Sequence, residues 1–478
     1  MDLIREKLKG FGQEHVLQFY DELSASQKDN LMNDINSIDW KSLEGIYKKQ
    51  VSERLDIEAK KLKPVGKIDD NLLRSLDSSC LQGTTVCDVG ELEHFRNVGL
   101  TYIGQGKVAV LLLSGGQGTR LGVDYPKGMY DIGLPSGKTL FQLQAERILE
   151  LSKPLELATG HKEHIFWYIM TSEATMSQSK EYFEQNNYFG LSKSKVIFFE
   201  QNTMPCLGFD GKVFLDEKYR ISRAPNGNGG MYEALHGTGL IEHMTSNGIE
   251  HLHVYCVDNI LVRVCDPIFI GYCIAKQASA GAKCVEKVLP NEAVGTICKV
   301  DNHIKVIEYS EISERIAQQR DPNTGRLVYN AGNICEHYFR VDFLRTIGCD
   351  STREQERQQQ HETDGGTGVV DNSLLPAALM EDNSKSSLRY HLAIKKIPHV
   401  DLASGKRVKP SEVNGIKLEK FIFDVFELCD ADKFVAWQVN REDEFSPLKN
   451  ADDQSERDNP TTARKALLRS YRLGLLTS

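Results

Sequence analysis

The chain opens on two stretches with helical spacing of apolar positions. Val16, Tyr20 and Leu23 share one helical face, and Leu31, Ile35 and Ile38 repeat the spacing after the turn-like SASQ. Residues 1–60 therefore read as helices, and the mixed, polar stretch 62–100 as a wrap-around connection. At Lys107 the pattern changes: KVAVLLLSGG is a continuous apolar run closed by glycine, the mark of a buried parallel strand. Further apolar runs stand at 165–170 (IFWYIM), 195–199 (KVIFF) and 251–257 (HLHVYCV), with helix-like stretches at 139–151 and 175–186. Strands alternating with helices predict βαβ units and a parallel sheet covered on both faces.

The pattern breaks over 350–388, where REQERQQQHETDGGTGVVDNS is polar, Gln-rich and Gly-containing and reads as a mobile surface insertion. Order resumes with LAIKKIPHV at 392–400, and IKLEKFIFDVFEL at 416–428 has the look of an amphipathic helix. There is no internal repeat.

With 478 residues the chain holds two or three domains, on a prior of roughly 100–200 residues each. Its formal net charge of −9 argues against a dedicated nucleic-acid binder, which needs an excess of basic residues. A small anionic ligand stays open, because a few converging cations can hold one locally. No window approaches the ~18 apolar residues of a membrane span, and the charged N-terminus lacks the apolar stretch of a secretory signal. The cysteines number eleven, none in a CxxC arrangement. Cys256, Cys265, Cys273, Cys284 and Cys298 fall in apolar, strand-like runs, as buried thiols of a reducing compartment do, so a cytoplasmic location is expected.

The segment from Leu111 to Phe141, LLLSGGQGTRLGVDYPKGMYDIGLPSGKTLF, carries the chemistry. Gly115, Gly116 and Gly118 follow the strand and allow a tight turn whose backbone N–H groups can approach phosphates or a nucleobase edge. Arg120 and Lys127 add two fixed cations. The dinucleotide fingerprint G-x-G-x-x-G is not met, since after Gly116 and Gly118 the next glycine comes one place late, at Gly122. The NTPase loop G-x-x-x-x-G-K-[ST] is not met either, because GLPSGKT at 133–139 has one residue too few between its glycines. Asp258 stands at the C-terminal edge of the HVYCV run, where open α/β sheets bind ligands, and a hard oxygen donor there suits Mg²⁺. His251 and His253 share a strand face without a third partner and read as structural.

The G-G-x-G-T-R-L run with its downstream P-K resembles the signature of nucleotide-sugar pyrophosphorylases. More narrowly, it is similar to the eukaryotic UDP-N-acetylhexosamine pyrophosphorylases, which make UDP-N-acetylglucosamine from UTP and the sugar 1-phosphate. Segments that also resemble the family are QNTMPCLGFDGK (201–212), APNGNGGMYEAL (224–235), HVYCVDNILVRVCDP (253–267) and VGTICKVDNHIKVIEYSEIS (294–313). YNAGNI (329–334), NGIKLEKFIFD (414–424), REDEFSPLKNA (441–451) and DNPTTAR (458–464) continue the series, and GQEH at 12–15 extends it to the N-terminus.

The resemblance implies a Rossmann-like α/β nucleotidyltransferase fold with a mixed central sheet. It implies a helical region over 1–100, a central domain over 101–425 and a small, shortened C-terminal domain over 426–478. The implied reaction is Mg²⁺-assisted attack by a sugar-phosphate oxygen on the α-phosphorus of UTP, releasing pyrophosphate. In the family's pattern Arg120, Lys127, Lys417 and Lys449 face the phosphates and Asp258 holds the metal. Gly115, Gly116, Gln201 and Gly227 take the nucleotide, although Asn226 stands where relatives carry Asp. Asn228, Gly295, Glu308 and Asn333 take the sugar. N-acetylgalactosamine 1-phosphate is an alternative substrate, and the resemblance leaves a homodimer open. Neither a nucleic acid nor a membrane is an expected partner. Two other readings stay open: a nucleotide-sugar-binding sensor without turnover, motivated by the short C-terminus, and a UDP-glucose pyrophosphorylase.

Overall fold

The run after Lys107 forms a strand, Val108–Leu113, with every residue buried, as a continuous apolar run requires when both faces are covered. It lies inside a computed structural model that describes residues 1–51, 55–56, 61–62, 68–77, 79–160, 164–292, 294–308, 311–347 and 388–475. The chain divides into two compact units. The larger comprises Lys67–Gln201, Met231–Leu388 and Phe423–Ser478, and the smaller Met1–Gly66, Asn202–Gly230 and Arg389–Ile422.

The larger unit is built on a mixed sheet. Its main strands, in chain order, are β1 (Leu81–Gly83), β2 (Val108–Leu113), β3 (Phe166–Thr171), β4 (Val196–Glu200), β5 (His251–Cys256), β6 (Ala280–Glu286), β7 (Ala331–Arg340) and β8 (Phe434–Val439). In space they run β1-β8-β6-β7-β5-β2-β3-β4. Only β7 opposes its neighbours β5 and β6; the other pairs along this path are parallel. A side arm of Thr296–Val300 and His303–Ile307 joins β7 where Thr296 pairs with Gly332. The parallel neighbours β5, β2, β3 and β4 bring their C-terminal ends to one edge, and the glycine loop and Asp258 follow two of those ends.

Four helices of this unit are α1 (Val89–Gly104), α2 (Leu140–Thr159), α3 (Glu173–Gln185) and α4 (Pro267–Ala275). The second and third match the helical stretches expected at 139–151 and 175–186. The first lies partly inside the supposed polar connection. A capping box, with Asp88 accepting from the Glu91 N–H and Glu91 from the Asp88 N–H, starts it. Gly99 in α1 and Gly271 in α4 serve packing rather than a turn. A Cβ on Gly99 would stand 2.0 Å from the Pro267 carbonyl oxygen, and one on Gly271 1.8 Å from that of Phe95, so α1 and α4 cross with almost no space between backbones.

The smaller unit has the expected helical start, in different pieces. Val16 and Leu17 lie in a 3-10 turn, Glu14–Leu17, and Tyr20 begins a second, Tyr20–Glu22, so no continuous helix joins them. SASQ is the start of the helix Ala25–Asn36, with Ser24 and Gln27 closing a capping box. Leu8, Val16, Leu31, Ile35 and Leu43 pack with Leu207, Leu215, Ile221, Ile416 and Leu418 in one core.

The helix expected over 416–428 is corrected. Gly415–Glu419 is a strand between His391–Lys395 and Leu207–Gly208, and Ile422–Leu428 is a 3-10 helix. Ile416 and Leu418 are buried at strand spacing, while Ile422, Val425 and Phe426 are buried at helical spacing. The two periods run together in the sequence and mimic one amphipathic face. Among the five cysteines read as strand residues, Cys265 instead occupies a turn with φ of 57° and Cys273 lies in α4. The 350–388 stretch lies outside the described residues except for Leu388.

Candidate active site

The glycine loop folds back on itself directly after β2. Gly118 N–H donates to the Tyr125 carbonyl (3.0 Å), Val123 N–H to that of Gly118 (3.2 Å) and Lys127 N–H to that of Gly116 (3.2 Å). A Cβ on Gly118 would meet Val123 at 2.3 Å, so the fold-back needs glycine there. This closure turns a separation of seven residues into proximity and sends Arg120 and Lys127 to the same place.

That place is a pocket of about 270 Å³, lined by residues 117–121, Arg120 among them, and by Lys127, Asp258 and Lys449. Lys127 Nζ stands 3.7 Å from Asp258 Oδ2, and both side chains are partly exposed. Lys449 arrives from the C-terminal part of the chain. Its N–H donates to the Asp458 carbonyl (2.6 Å), and the Ala451 N–H to that of Arg120 (3.2 Å). Three cations and one carboxylate drawn from three separate stretches of sequence thus face one cavity, an arrangement that suits a polyanion carrying a divalent cation.

Gly115 and Gln201 form a second part of the same edge. The Gln201 N–H donates to the Thr171 carbonyl (2.9 Å), and Ser172 Oγ donates to that of Gly115 (2.8 Å). A Cβ on Gly115 would lie 2.6 Å from Gln201 Nε2, so the side-chain amide rests on bare backbone. Gly116 has nothing within 4 Å of where its Cβ would be and leaves its flank open.

Gly295, Glu308 and Asn333 cluster where the side arm meets β7. Asn333 N–H donates to the Gly295 carbonyl (2.8 Å), and a Cβ on Gly295 would stand 3.4 Å from Glu308 Oε1. Asn333 Oδ1 accepts from the Cys335 N–H (3.2 Å) and lies 3.2 Å from His337 Nε2, which orients the carboxamide. The sheet links this cluster to the pocket: Cys256, two residues before Asp258, touches Cys335, two after Asn333, sulfur to sulfur at 3.3 Å. The bond to Cys335 and burial hold the Cys256 thiol well above its ordinary pKa, and no disulfide joins the described cysteines.

Gly227, Asn228 and Lys417 belong to the smaller unit. Gly227 has φ of +86°, and a Cβ there would meet the Lys420 carbonyl oxygen at 2.3 Å. Asn228 Oδ1 accepts from the Ile422 N–H (3.0 Å), so part of this side chain pins the backbone beyond Lys420. Lys417 sits on the strand Gly415–Glu419, five residues before Ile422.

His251 and His253 have structural partners. His251 Nδ1 lies 2.7 Å from Tyr338 Oη, and burial depresses its pKa to about 4. His253 Nδ1 accepts from the Cys265 N–H (3.0 Å), and its Nε2 lies 3.2 Å from Glu336 Oε1. A buried ion cluster that shares Glu336 with His253 carries no local signal in the sequence. Lys283 is fully buried with its Nζ at 2.8 Å from Asp266, 2.8 Å from Glu336 and 2.7 Å from Glu444. Burial works against its charge, yet the three carboxylates hold the ammonium pKa above its ordinary value. Asn259, directly after Asp258, is buried as well.

Glycine loop, cation pocket and mixed sheet suit a nucleotidyltransferase, and the comparisons give the class, a uridylyltransferase family. The sequence model of the UTP–glucose-1-phosphate uridylyltransferase family matches residues 67–372. UDP-N-acetylhexosamine pyrophosphorylase-like protein 1 of Xenopus tropicalis is 44% identical, covering 97% of this chain and 82% of that one. UDP-N-acetylglucosamine pyrophosphorylase of Saccharomyces cerevisiae is 43% identical over 79% of this chain and 72% of its own. The crystal structure of the Trypanosoma brucei uridine diphosphate N-acetylglucosamine pyrophosphorylase, in complex with inhibitor, matches with a TM-score of 0.74 and 29% identity. That match covers 98% of this chain and 84% of the other. The chain belongs to the UDP-N-acetylhexosamine pyrophosphorylase family.

Proposed function

We propose that this protein is a UTP:N-acetyl-α-D-glucosamine-1-phosphate uridylyltransferase that forms UDP-N-acetylglucosamine and pyrophosphate. One observation carries the reading: Arg120, Lys127, Asp258 and Lys449 line a single pocket beside the glycine loop. A phosphate oxygen of the sugar 1-phosphate attacks the α-phosphorus of UTP in line. One P–O bond forms, the bond to the β-phosphate bridge breaks, and pyrophosphate leaves. Two polyanions must meet, so the chain's work is alignment and charge neutralisation. Arg120 grips phosphate oxygens with its forked guanidinium, and Lys127 and Lys449 add point charges around the departing pyrophosphate. Lys417 is assigned to the phosphates by the family's pattern.

Mg²⁺ fits the donor set. Asp258 is a single hard carboxylate in the pocket, and the described residues contain no cluster of three His, Cys, Asp or Glu that would cage an ion. Mg²⁺ takes one or two carboxylates and fills its shell with water and substrate phosphates. Held by Asp258, it would supply further neutralisation of phosphate charge.

Gln201 and the backbone of Gly115, Gly116 and Gly227 read the uracil edge, a side-chain amide and N–H groups matching its carbonyl and imide. Asn228, Gly295, Glu308 and Asn333 take the sugar, with glycine leaving room for the ring or acetamido group. N-acetylgalactosamine 1-phosphate, differing at one hydroxyl, is assigned as a second substrate. The acidic charge supports work away from nucleic acid, and the described cysteines, none of them in a disulfide, support a reducing compartment such as the cytoplasm. None of the described helices is long and apolar enough to cross a membrane. A competition assay between N-acetylglucosamine 1-phosphate and glucose 1-phosphate tests the assignment, with the acetylated sugar expected to win.

A further inference from the structure

Lys449 and Asp258 are far apart in sequence, and the backbone holding Lys449 beside Asp258 is organised by one buried carboxamide. Asn259 Nδ2 donates to the Glu444 carbonyl (2.8 Å), while Oδ1 accepts from the Ser446 N–H (3.0 Å) and the Leu261 N–H (3.3 Å). Around it Asn259 bridges Pro447 in antiparallel fashion, Ile260 N–H donates to the Ser446 carbonyl (3.2 Å), and Leu448 N–H donates to that of Asp258 (2.9 Å). A carboxamide can donate and accept at once, and here it does both toward the same short segment, Glu444–Ser446. Neither Asp nor Leu, of similar size, offers that pair of bonds.

The start of this segment, at the end of the helix Arg441–Glu444, is fixed as well. Glu444 gives its carbonyl to Asn259 and its carboxylate to Lys283, which also meets Asp266 and Glu336. A buried ion network of this kind is a poor source of stability compared with apolar packing. It does hold Glu444 from two sides, since Arg263 Nε also stands 3.4 Å from its carboxylate. The segment Glu444–Lys449 is thereby tied at its start by an ion cluster, at its middle by Asn259 and at its end by Asp258 itself.

We infer that Asn259 is a positioning residue for Lys449: its carboxamide sets where the Lys449 ammonium stands relative to Asp258 in the phosphate pocket. This rests on the reading of that pocket as the triphosphate site, since Lys449 is the residue through which Asn259 acts. The inference predicts energetic coupling, because a residue that only positions another loses its effect when that other is removed.

UTP affinity is to be measured by calorimetry with Mg²⁺ for the wild type, Asn259→Ala, Lys449→Ala and the double variant, alongside thermal melting. Asn259→Ala is expected to weaken UTP about tenfold when Lys449 is present and at most about twofold when it is Ala. Asn259→Ser, which keeps a small polar group, serves if the Ala variant does not fold, and is expected to show the same coupling. Equal weakening in both Lys449 backgrounds, or unchanged affinity in a folded Asn259 variant, would overturn the inference. Binding is read without turnover, so a wild type that binds UTP yet releases no pyrophosphate would count against the transferase reading alone.

Discussion

Lys127 Nζ and Asp258 Oδ2 face each other at 3.7 Å across the pocket, beyond hydrogen-bonding distance. Each comes from the C-terminal end of a parallel strand, β2 through its glycine loop and β5 directly. The pair is close enough to attract but too loose to be saturated, so both partners retain capacity for a phosphate or a metal. Asp258→Ala is therefore expected to lower kcat by about 100-fold or more while moving the melting temperature little, because the side chain is partly exposed. Steady-state rates across a Mg²⁺ titration check this, and near-normal activity would remove Asp258 from the metal role.

Two glycines separate function from stability. In Gly115→Ala the new methyl meets only the flexible end of Gln201, at 2.6 Å, so the amide moves at small folding cost. UTP affinity should fall about tenfold and discrimination against CTP should narrow, with little change in melting temperature. In Gly128→Ala the methyl meets the buried Phe141 ring at 2.2 Å, and a loss of about 1–3 kcal/mol of stability is expected. Nucleotide calorimetry and urea melts of the two variants should give opposite profiles.

The glycine loop and the Asp258 strand end were legible because each is local, a short run whose composition dictates its conformation. Arg120 and Lys127 followed from the same run. Lys449 could be named from the SPLK segment, but its seat could not, since that depends on Asn259 and Glu444 meeting across a long loop of chain. The 416–428 segment misled because Ile416 and Leu418 at strand spacing merge with Ile422, Val425 and Phe426 at helical spacing. Helix α1 hid behind Gly90 and Gly99, which look like breakers until the close crossing with α4 explains Gly99. Lys283 carried no signal, since nothing local distinguishes a lysine that will meet three buried carboxylates.

Acid sensitivity follows from a buried imidazole. Burial lowers the pKa of His251 from its ordinary 6.5 to about 4. Between those values the unfolded chain binds a proton that the folded ring refuses, so stability is full above pH 6.5 and falls as the pH drops toward 4. The loss attached to this one group is about 3 kcal/mol by pH 4. Urea midpoints at a series of pH values should show the decline, and His251→Asn should reduce it while leaving the share of His337, whose pKa burial lowers to about 3.

Lys283→Ala strands Asp266, Glu336 and Glu444 as buried carboxylates without their shared cation, and a loss of about 3–5 kcal/mol is expected. Raising the pH should worsen the defect, because stranded carboxylates that take up protons at low pH cost less. Chemical denaturation of the variant at two pH values reads both effects. A variant as stable as the wild type would show that the cluster is not held by its lysine.

The most direct measurement is pyrophosphate release by the purified chain with UTP, Mg²⁺ and N-acetylglucosamine 1-phosphate. The expected result is stoichiometric pyrophosphate and UDP-N-acetylglucosamine, reversed when pyrophosphate is added in excess. No release with either N-acetylglucosamine 1-phosphate or N-acetylgalactosamine 1-phosphate, from folded protein with Mg²⁺ present, would contradict it.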